Sequence, residues 1–136
     1  MHLLADAHIP WLSFLLGESE TAGHVRLSRY ETAEELQDLL ARDPADALLI
    51  RTTAKMNRNT FPEFPARLKC VATATAGTDH VDEKWLHENG IQFFYSPGCN
   101  ARSVAEYVVT ALLKAYSGRW ETLRRKKIGI VGAGNT

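Results

Sequence analysis

The chain has 136 residues and a mass of 15.2 kDa, with 45% apolar residues, which is enough for one globular core without a metal or disulfide. Sixteen Lys and Arg balance sixteen Asp and Glu, which argues against a dedicated nucleic-acid binder or a polybasic membrane-surface protein. Cys70 and Cys99 have no CxxC spacing and no apolar run reaches membrane-spanning length, so we expect a reduced, cytoplasmic protein.

Short apolar runs alternate with helical patterns along the chain. In chain order, the predicted strands are Leu3–Ala5, His24–Leu27, Ala47–Ile50, Lys69–Ala74, Ile91–Tyr95 and Ile128–Val131. The predicted helices begin at Pro10, at Thr32, at Asp82 and at Asn100 or Ser103, and end at Gly17, before Pro44, at Gly90 and before Gly118. Thr32 and Glu35 have capping-box spacing, and Asp82 is a typical N-cap residue.

This alternation predicts the fold class. A strand–helix–strand connection is a crossover that joins parallel strands and places helices on both faces of the sheet. We therefore predict an α/β fold with a doubly wound parallel sheet. Ligands bind such sheets beyond the carboxyl ends of the strands. Two polar segments occupy such positions, Arg51–Thr53 and Thr75–Asp79.

The first polar segment combines a guanidinium with two hydroxyls. Arg51 presents a planar fork that matches a carboxylate or a phosphate, and Thr52 and Thr53 can complete an anion cradle. The residues are equally compatible with a solvated arginine followed by threonines that end the strand. Both interpretations stay open on the residues alone.

The second polar segment, Thr73–His80, is rich in small residues. Gly77 lets the main chain approach a ligand closely, and successive N–H groups can form an anion-binding nest. On the residues alone, the favoured interpretation is an ordinary strand-to-helix turn in which Thr78 or Asp79 caps the next helix.

A third candidate lies at Ile128–Gly134, where an apolar run leads into Gly132-Ala133-Gly134. A strand followed by Gly-x-Gly is how a dinucleotide-binding turn begins, because the glycines let a pyrophosphate approach the helix N-terminus. A Gly-x-Gly without the third glycine, the helix and the acidic ribose ligand is a weak signal. We expect that this segment alone does not bind a whole cofactor.

Other chemistries are disfavoured. The five histidines show no metal-ligand spacing, and no Ser/His/Asp or Cys/His set is recognisable. The basic run Arg124–Lys127 is interpreted as a solvated connector, since the chain as a whole is neutral. We therefore expect no metal, nucleic acid or membrane among the partners.

Three strings resemble one enzyme family. They are TATAGTDHVD at 73–82, SPGCNA at 96–101 and VAEYV at 104–108. They are similar to the D-isomer-specific 2-hydroxyacid dehydrogenases, and the resemblance covers nearly the whole chain. It departs at Phe61–Pro65, where two prolines stand in place of a helical turn. The first two strings are typical of the members that oxidise 4-phospho-D-erythronate with NAD in pyridoxal 5′-phosphate biosynthesis.

The resemblance implies three segments. They are a flavodoxin-like substrate domain at 1–99, a linker helix and connector at 100–125, and the first strand of a Rossmann NAD-binding domain at 126–136. The implied ligands of a phosphorylated 2-hydroxy acid are Arg51, Thr52, Thr75, Ala76, Gly77 and Thr78. The implied cofactor-binding residues are Asn100 and Val104, near the nicotinamide, and Gly132 and Gly134, at the pyrophosphate.

The family's catalytic arginine, glutamate and histidine have no counterpart here, so the chain resembles the N-terminal part of such an enzyme. We therefore expect residues 1–136 alone to lack dehydrogenase activity. We also expect marginal stability or a homodimer, because the helix from Asn100 to Ser117 and the strand Ile128–Val131 would expose apolar residues without their covering partners.

Two other functions stay open. One is a part of another D-2-hydroxyacid dehydrogenase with a different hydroxy acid as substrate. The other is a non-catalytic flavodoxin-like module that binds an anion, or a signalling module such as a response-regulator receiver. A receiver needs clustered acids and an opposing lysine at the strand ends. Here Asp6 has no acidic neighbour, and the third apolar strand ends in Arg51-Thr52.

Overall fold

The computed structural model describes residues 1–17, 24–116, 121, 124–132 and 134. The strands are β1 (His2–Asp6), β2 (Arg26–Tyr30), β3 (Ala47–Ile50), β4 (Cys70–Thr73) and β5 (Gln92–Phe94). The helices are α1 (Leu12–Gly17), α2 (Ala33–Arg42), α3 (Glu83–Glu88) and α4 (Ala101–Ala115). The chain divides into two compact units, Met1–Ser96 and Pro97–Thr136. The predicted boundaries at residues 99 and 125 stay predictions.

The first unit is built on one five-stranded parallel sheet. Its strand order is β2-β1-β3-β4-β5, which is the flavodoxin-like order of a doubly wound sheet. This confirms the predicted fold class. The register pairs Ala5 with Leu49 and Ile50 with Thr73. The residues that follow β1, β3 and β4 therefore emerge side by side at the carboxyl edge of the sheet.

Local capping explains where two of the helices begin. At α2, Thr32 Oγ1 accepts the N–H of Glu35 at 3.2 Å, as the capping-box spacing predicts. The Glu35 carboxylate reaches back one residue further than expected and accepts the N–H of Glu31 at 2.7 Å. At α3, the Asp82 carboxylate accepts the N–H of Trp85 at 2.9 Å. The predicted N-caps of both helices are confirmed.

Apolar side chains pack on both faces of the sheet. The larger cluster joins α2 and α3 to the strands and includes Leu4, Leu36, Leu48, Val71 and Leu86, all of them buried. A smaller cluster on the opposite face joins β1 to α1 and consists of Ala5, Ile9 and Leu12. Neighbouring β-strand residues point to opposite faces, so Leu4 and Ala5 anchor the two clusters. Helices on both faces agree with the doubly wound prediction.

The expectation of strictly alternating strands and helices is wrong between β3 and β4. Residues 51–69 form turns and loops without a helix. The loop is held instead by Asn57, whose carboxamide oxygen accepts the N–H groups of Asn59 and Thr60 at 3.0 and 3.1 Å. A parallel bridge between Met56 and Val81 ties it to the segment before α3. These side-chain and tertiary bonds replace the helical ladder.

The start of α1 also differs from the prediction. The helix begins at Leu12 and not at Pro10, because Trp11 has a φ of 62°, outside the helical region. In contrast, Gly90 has a φ of +70° just after the C-cap of α3. It adopts the left-handed conformation in which helices often end. The predicted end of α3 is confirmed.

The second unit contains α4. The helix begins directly after Asn100, one of the two predicted starting points, and has no buried residue. Its predicted end at Ser117 and Gly118 lies outside the described residues. Among the described residues, no helix combines the length and apolar character needed to cross a membrane.

The predicted strand Ile128–Val131 is wrong in the described part of the chain. Residues 126–132 do not form a strand, and Ile130 and Val131 are exposed. A β-strand forms through hydrogen bonds to a neighbouring strand, and no described residue pairs with this segment. An apolar run is therefore insufficient here to make a strand.

Candidate functional site

A buried carboxylate lies at the carboxyl end of β1. Asp6 is fully buried, and its Oδ1 accepts the backbone N–H of His8 at 2.8 Å. Thr53 Oγ1 donates to Asp6 Oδ2 at 3.3 Å. Arg51 Nε lies 3.1 Å from Asp6 Oδ1, but its N–H has no well-aligned acceptor, so this contact is ionic. Asp6 therefore joins the ends of β1 and β3.

The charge state of Asp6 follows from these contacts. Burial raises its pKa, but the His8 N–H and the Arg51 guanidinium together outweigh burial, and the pKa is lowered overall. Asp6 is therefore an anion at neutral pH. The Arg51 side chain is one-third exposed, and its two terminal nitrogens make no hydrogen bond within the described part of the chain. Asp6 holds the guanidinium while those nitrogens stay accessible to an anion.

A chain of hydroxyl groups follows β4. Thr73 is buried, and its Oγ1 lies 2.7 Å from Thr75 Oγ1 and 3.0 Å from His80 Nε2. Thr75 Oγ1 donates to the carbonyl of Gly77 at 3.1 Å. Burial lowers the pKa of His80, with Asp79 opposing the shift. The imidazole is therefore neutral at physiological pH.

The structure brings the two predicted substrate-binding segments to one edge of the sheet. Arg51 and Thr52 directly follow β3, and Thr75 follows the adjacent strand β4. Thr52 is exposed and Thr75 is half-buried, so neither is sealed in the core. Of the remaining predicted ligands, Ala76 and Thr78 are half-buried and Gly77 is exposed.

The loop after β4 is not the simple helix cap that the residues alone favoured. The N-cap of α3 is Asp82, so capping by Thr78 or Asp79 is wrong. The carbonyl of Thr78 accepts the N–H of Val81 at 2.8 Å, which closes a turn before the helix. A Cβ added at Gly77 would meet no atom within 4 Å. The loop is therefore open at its tip, and its role in substrate binding stays a prediction.

The predicted cofactor-binding residues all lie in the second unit. Asn100 is exposed, and its side chain makes no capping hydrogen bond to α4, while Val104 is half-buried one turn later. Gly132 has a φ of +91°, and it and Gly134 are exposed. Since no strand precedes them in the described residues, this segment does not form a dinucleotide-binding turn by itself. The cofactor roles stay predictions.

Asp6 and His80 contribute to the carboxyl edge, although neither is among the predicted ligands. The signal for Asp6 was an acid that ends an apolar run. The signal for His80 was its place seven residues after Thr73, across the turn. The described residues hold no group of three or more potential metal ligands. An anchored guanidinium beside hydroxyl groups is suited to bind a carboxylate or a phosphate.

Comparison with known proteins identifies the family. The model of the "D-isomer specific 2-hydroxyacid dehydrogenase, catalytic domain" matches residues 11–133. The erythronate-4-phosphate dehydrogenase of Salmonella arizonae is 43% identical over 138 residues, which cover 99% of this chain and 33% of that protein. The enzyme of the same name from Shewanella sediminis is 40% identical over 137 residues, covering 100% of this chain and 33% of that protein. The chain thus spans about a third of the length of these relatives.

Solved structures share the fold at lower identity. A D-lactate dehydrogenase from Aquifex aeolicus, complexed with NAD and lactic acid, has a TM-score of 0.64 and 20% identity, covering 95% of this chain and 39% of that chain. A 3-phosphoglycerate dehydrogenase from Entamoeba histolytica with bound NAD+ has a TM-score of 0.65 and 19% identity, covering 83% of this chain and 38% of that chain. These structures show the shared fold, and the family match over residues 11–133 shows that the chain belongs to the D-isomer specific 2-hydroxyacid dehydrogenases.

Proposed function

We propose that the chain supplies the substrate-binding domain of an NAD-dependent dehydrogenase that oxidises 4-phospho-D-erythronate to the 2-oxo acid. Relatives about 40% identical carry the name of that enzyme. The observation that carries the proposal is the Arg51 guanidinium, held 3.1 Å from the buried Asp6 carboxylate at the carboxyl edge of the sheet. The proposed substrate has a carboxylate and a phosphate, the groups that such a guanidinium binds.

Each segment of the carboxyl edge has a distinct role in this proposal. Arg51 pairs with an anionic group of the substrate, and the hydroxyls of Thr52 and Thr75 complete its hydrogen bonding. The main-chain N–H groups of Ala76–Thr78 hold the substrate carboxylate, because small residues leave that backbone accessible. These residues bind and orient the substrate. They include no general base for the substrate hydroxyl.

NAD is the proposed cofactor, and when bound it supplies the hydride acceptor. The proposal rests on the family and on the position of four residues in the second unit: Asn100, Val104, Gly132 and Gly134. The described geometry alone does not make them a nucleotide site, because the glycines follow no strand. Binding of NAD therefore needs further protein structure around this segment.

Calorimetric titration with 4-phospho-D-erythronate tests the proposed substrate. Arg51→Gln removes the cation and keeps a polar side chain, so we expect its affinity to fall at least about tenfold, the effect of losing a charge-assisted hydrogen bond. Arg42→Gln is the matched control, since Arg42 is an exposed cation on α2. Equal loss of affinity in both variants would contradict the proposed role of Arg51.

A panel of smaller acids tests the choice of substrate. D-Lactate and D-glycerate carry the 2-hydroxy acid group without the phosphate. We expect 4-phospho-D-erythronate to bind more tightly than either one. Tighter binding of an unphosphorylated acid would instead assign the chain to another D-2-hydroxyacid dehydrogenase.

We also propose that the chain forms a homodimer through α4. Val104, Val108 and Leu112 lie one turn apart on one face of this helix, and none of them is buried. An apolar face that is left uncovered favours association. Sedimentation velocity over a hundredfold range of concentration tests this, and Val108→Glu is expected to shift the protein toward monomer. A monomer at all concentrations would contradict it. The cytoplasmic location stays a prediction.

A further inference from the structure

The hydrogen-bonded groups after β4 are His80, Thr73, Thr75 and the Gly77 carbonyl. The number of protons on each group determines which one donates in each bond. A threonine hydroxyl carries one proton and can accept further hydrogen bonds. Thr75 Oγ1 donates to the Gly77 carbonyl, which can only accept. Its proton is therefore not available for the contact of 2.7 Å with Thr73 Oγ1. That contact needs the proton of Thr73.

The same count assigns the proton of the imidazole. Once Thr73 donates to Thr75, it has no proton left for His80 Nε2, which lies 3.0 Å from Thr73 Oγ1. The Nε2 atom must then carry the proton and donate it to Thr73. The competing acceptor for Thr73 is the Ile50 carbonyl, but at 3.5 Å it lies at the limit of hydrogen-bond distance.

We propose that His80, as the neutral Nε2–H tautomer, is a positioning residue that orients the Thr75 hydroxyl through Thr73. All three donated protons then point the same way, from the imidazole through Thr73 and Thr75 to the Gly77 carbonyl. An anion near the loop replaces that carbonyl as the acceptor without any change in the other two bonds. His80 thereby makes Thr75 a donor toward an anionic ligand. Only this last step rests on the proposed function.

Backbone hydrogen bonds hold the segment around His80 in place. The backbone carbonyl of His80 accepts the N–H of Met56 at 2.8 Å, and the carbonyl of Met56 accepts the N–H of Asp82 at 2.8 Å. These two bonds fix the backbone on both sides of Val81. His80 also borders a cavity of about 340 Å³, lined in addition by Lys55, Asn57, Asp79, Val81 and Asp82. The backbone that carries the ring is thus held in place beside a polar cavity.

Nuclear magnetic resonance tests the direction of the chain without any ligand. Long-range ¹H–¹⁵N correlations of the labelled 136-residue chain at pH 8 report which imidazole nitrogen carries the proton, and the His80→Gln spectrum assigns the signal. We expect a protonated Nε2 and an unprotonated Nδ1 at His80. The opposite tautomer would overturn the proposal. Thr75→Val removes the acceptor of the Thr73 proton and is expected to increase the share of the opposite tautomer.

Ligand binding tests the positioning role. The glutamine of His80→Gln offers an amide donor near the place of Nε2, whereas His80→Met has a similar size and no donor. We expect His80→Gln to bind 4-phospho-D-erythronate within about threefold of the wild type and His80→Met to bind about fivefold more weakly, the effect of one neutral hydrogen bond. His87→Gln is the matched control, because His87 is an exposed histidine on α3.

The outcomes separate this inference from the proposed function. If the wild type does not bind 4-phospho-D-erythronate, the proposed substrate is wrong, and the tautomer still decides whether His80 directs the hydroxyl chain. If His80→Met binds as tightly as the wild type while its far-UV spectrum is unchanged, the positioning role is wrong. If His80→Gln and His80→Met lose affinity equally, His80 acts through packing and the proposal is overturned.

Discussion

Replacing Asp6 by asparagine isolates the electrostatic part of the carboxyl edge. The amide has nearly the shape of the carboxylate and keeps an oxygen that can accept the N–H of His8. In the wild type this nitrogen lies 2.8 Å from Asp6 Oδ1. It removes the negative charge that lies 3.1 Å from Arg51 Nε. The change therefore tests whether the buried charge stabilises the first unit.

The expected magnitude follows from burial. Breaking a fully buried ion pair by removing one partner costs about 3–5 kcal/mol, because the remaining charge is left without a counterion. The Arg51 side chain is one-third exposed, so water solvates part of the charge that Asp6→Asn leaves behind. We expect Asp6→Asn to lower the free energy of unfolding by about 2 kcal/mol, below the fully buried case.

Urea unfolding followed by circular dichroism measures this change. The matched control is Asp38→Asn, which removes an exposed carboxylate 3.7 Å from Arg42 on α2. Exposed pairs of this kind contribute less than about 0.5 kcal/mol. If Asp6→Asn destabilised the chain no more than Asp38→Asn, the buried carboxylate would not be the anchor of Arg51.

The dependence on pH checks the same reasoning. Because the folded-state pKa of Asp6 is lowered, its contribution to stability is present above the ordinary carboxyl pKa of about 3.9. It is lost as the pH falls through the lowered folded-state value. The difference in unfolding free energy between the wild type and Asp6→Asn is therefore expected to shrink on acidification. A difference that grew instead would contradict the assigned direction of the shift.

Three further predictions concern other parts of the chain. Thr32→Ala removes the N-cap bond of α2 and is expected to cost about 1 kcal/mol of unfolding free energy, whereas Thr32→Ser retains it. Gly90→Ala is expected to lower the unfolding free energy by about 1 kcal/mol, because the φ of Gly90 is +70°. Gly17→Ala is expected to leave the unfolding free energy unchanged, because Gly17 is helical and no atom lies near the added Cβ. Residues 1–136 alone are expected to show no NAD reduction with 4-phospho-D-erythronate, and turnover in a spectrophotometric assay would refute this.

Local sequence predicts the elements whose causes are local. Strand β3 has the predicted bounds, Ala47–Ile50, because a short, continuous apolar run between polar segments is typical of a strand buried on both faces. The start of α2 follows from Thr32, whose cap lies within three residues of its donor. Neither inference needs any knowledge of which strands are neighbours.

Other features depend on distant partners, which local sequence does not indicate. The connection from β3 to β4 is held by the bridge between Met56 and Val81, which joins residues far apart in sequence. The pair of Asp6 and Arg51 forms because β1 lies next to β3. The hydrophobic pattern of each strand does not predict that the two strands are neighbours. The run at Ile128–Val131 has the composition of a strand, but the described residues offer it no partner.

Strand order gives the proposed anion site at the carboxyl edge a fixed orientation of donors more than a net charge. The neighbouring strands β1 and β3 place a carboxylate beside a guanidinium, so the charge of Arg51 is largely balanced by Asp6. A balanced arginine attracts a distant anion less strongly than an unpaired one. In return, its side chain is already held when the ligand arrives, which reduces the entropy lost on binding. The hydroxyl chain from His80 to Thr75 is held in the same way beyond β4. Both halves of the proposed site thus contribute fixed donors, and the parallel sheet sets the spacing between them.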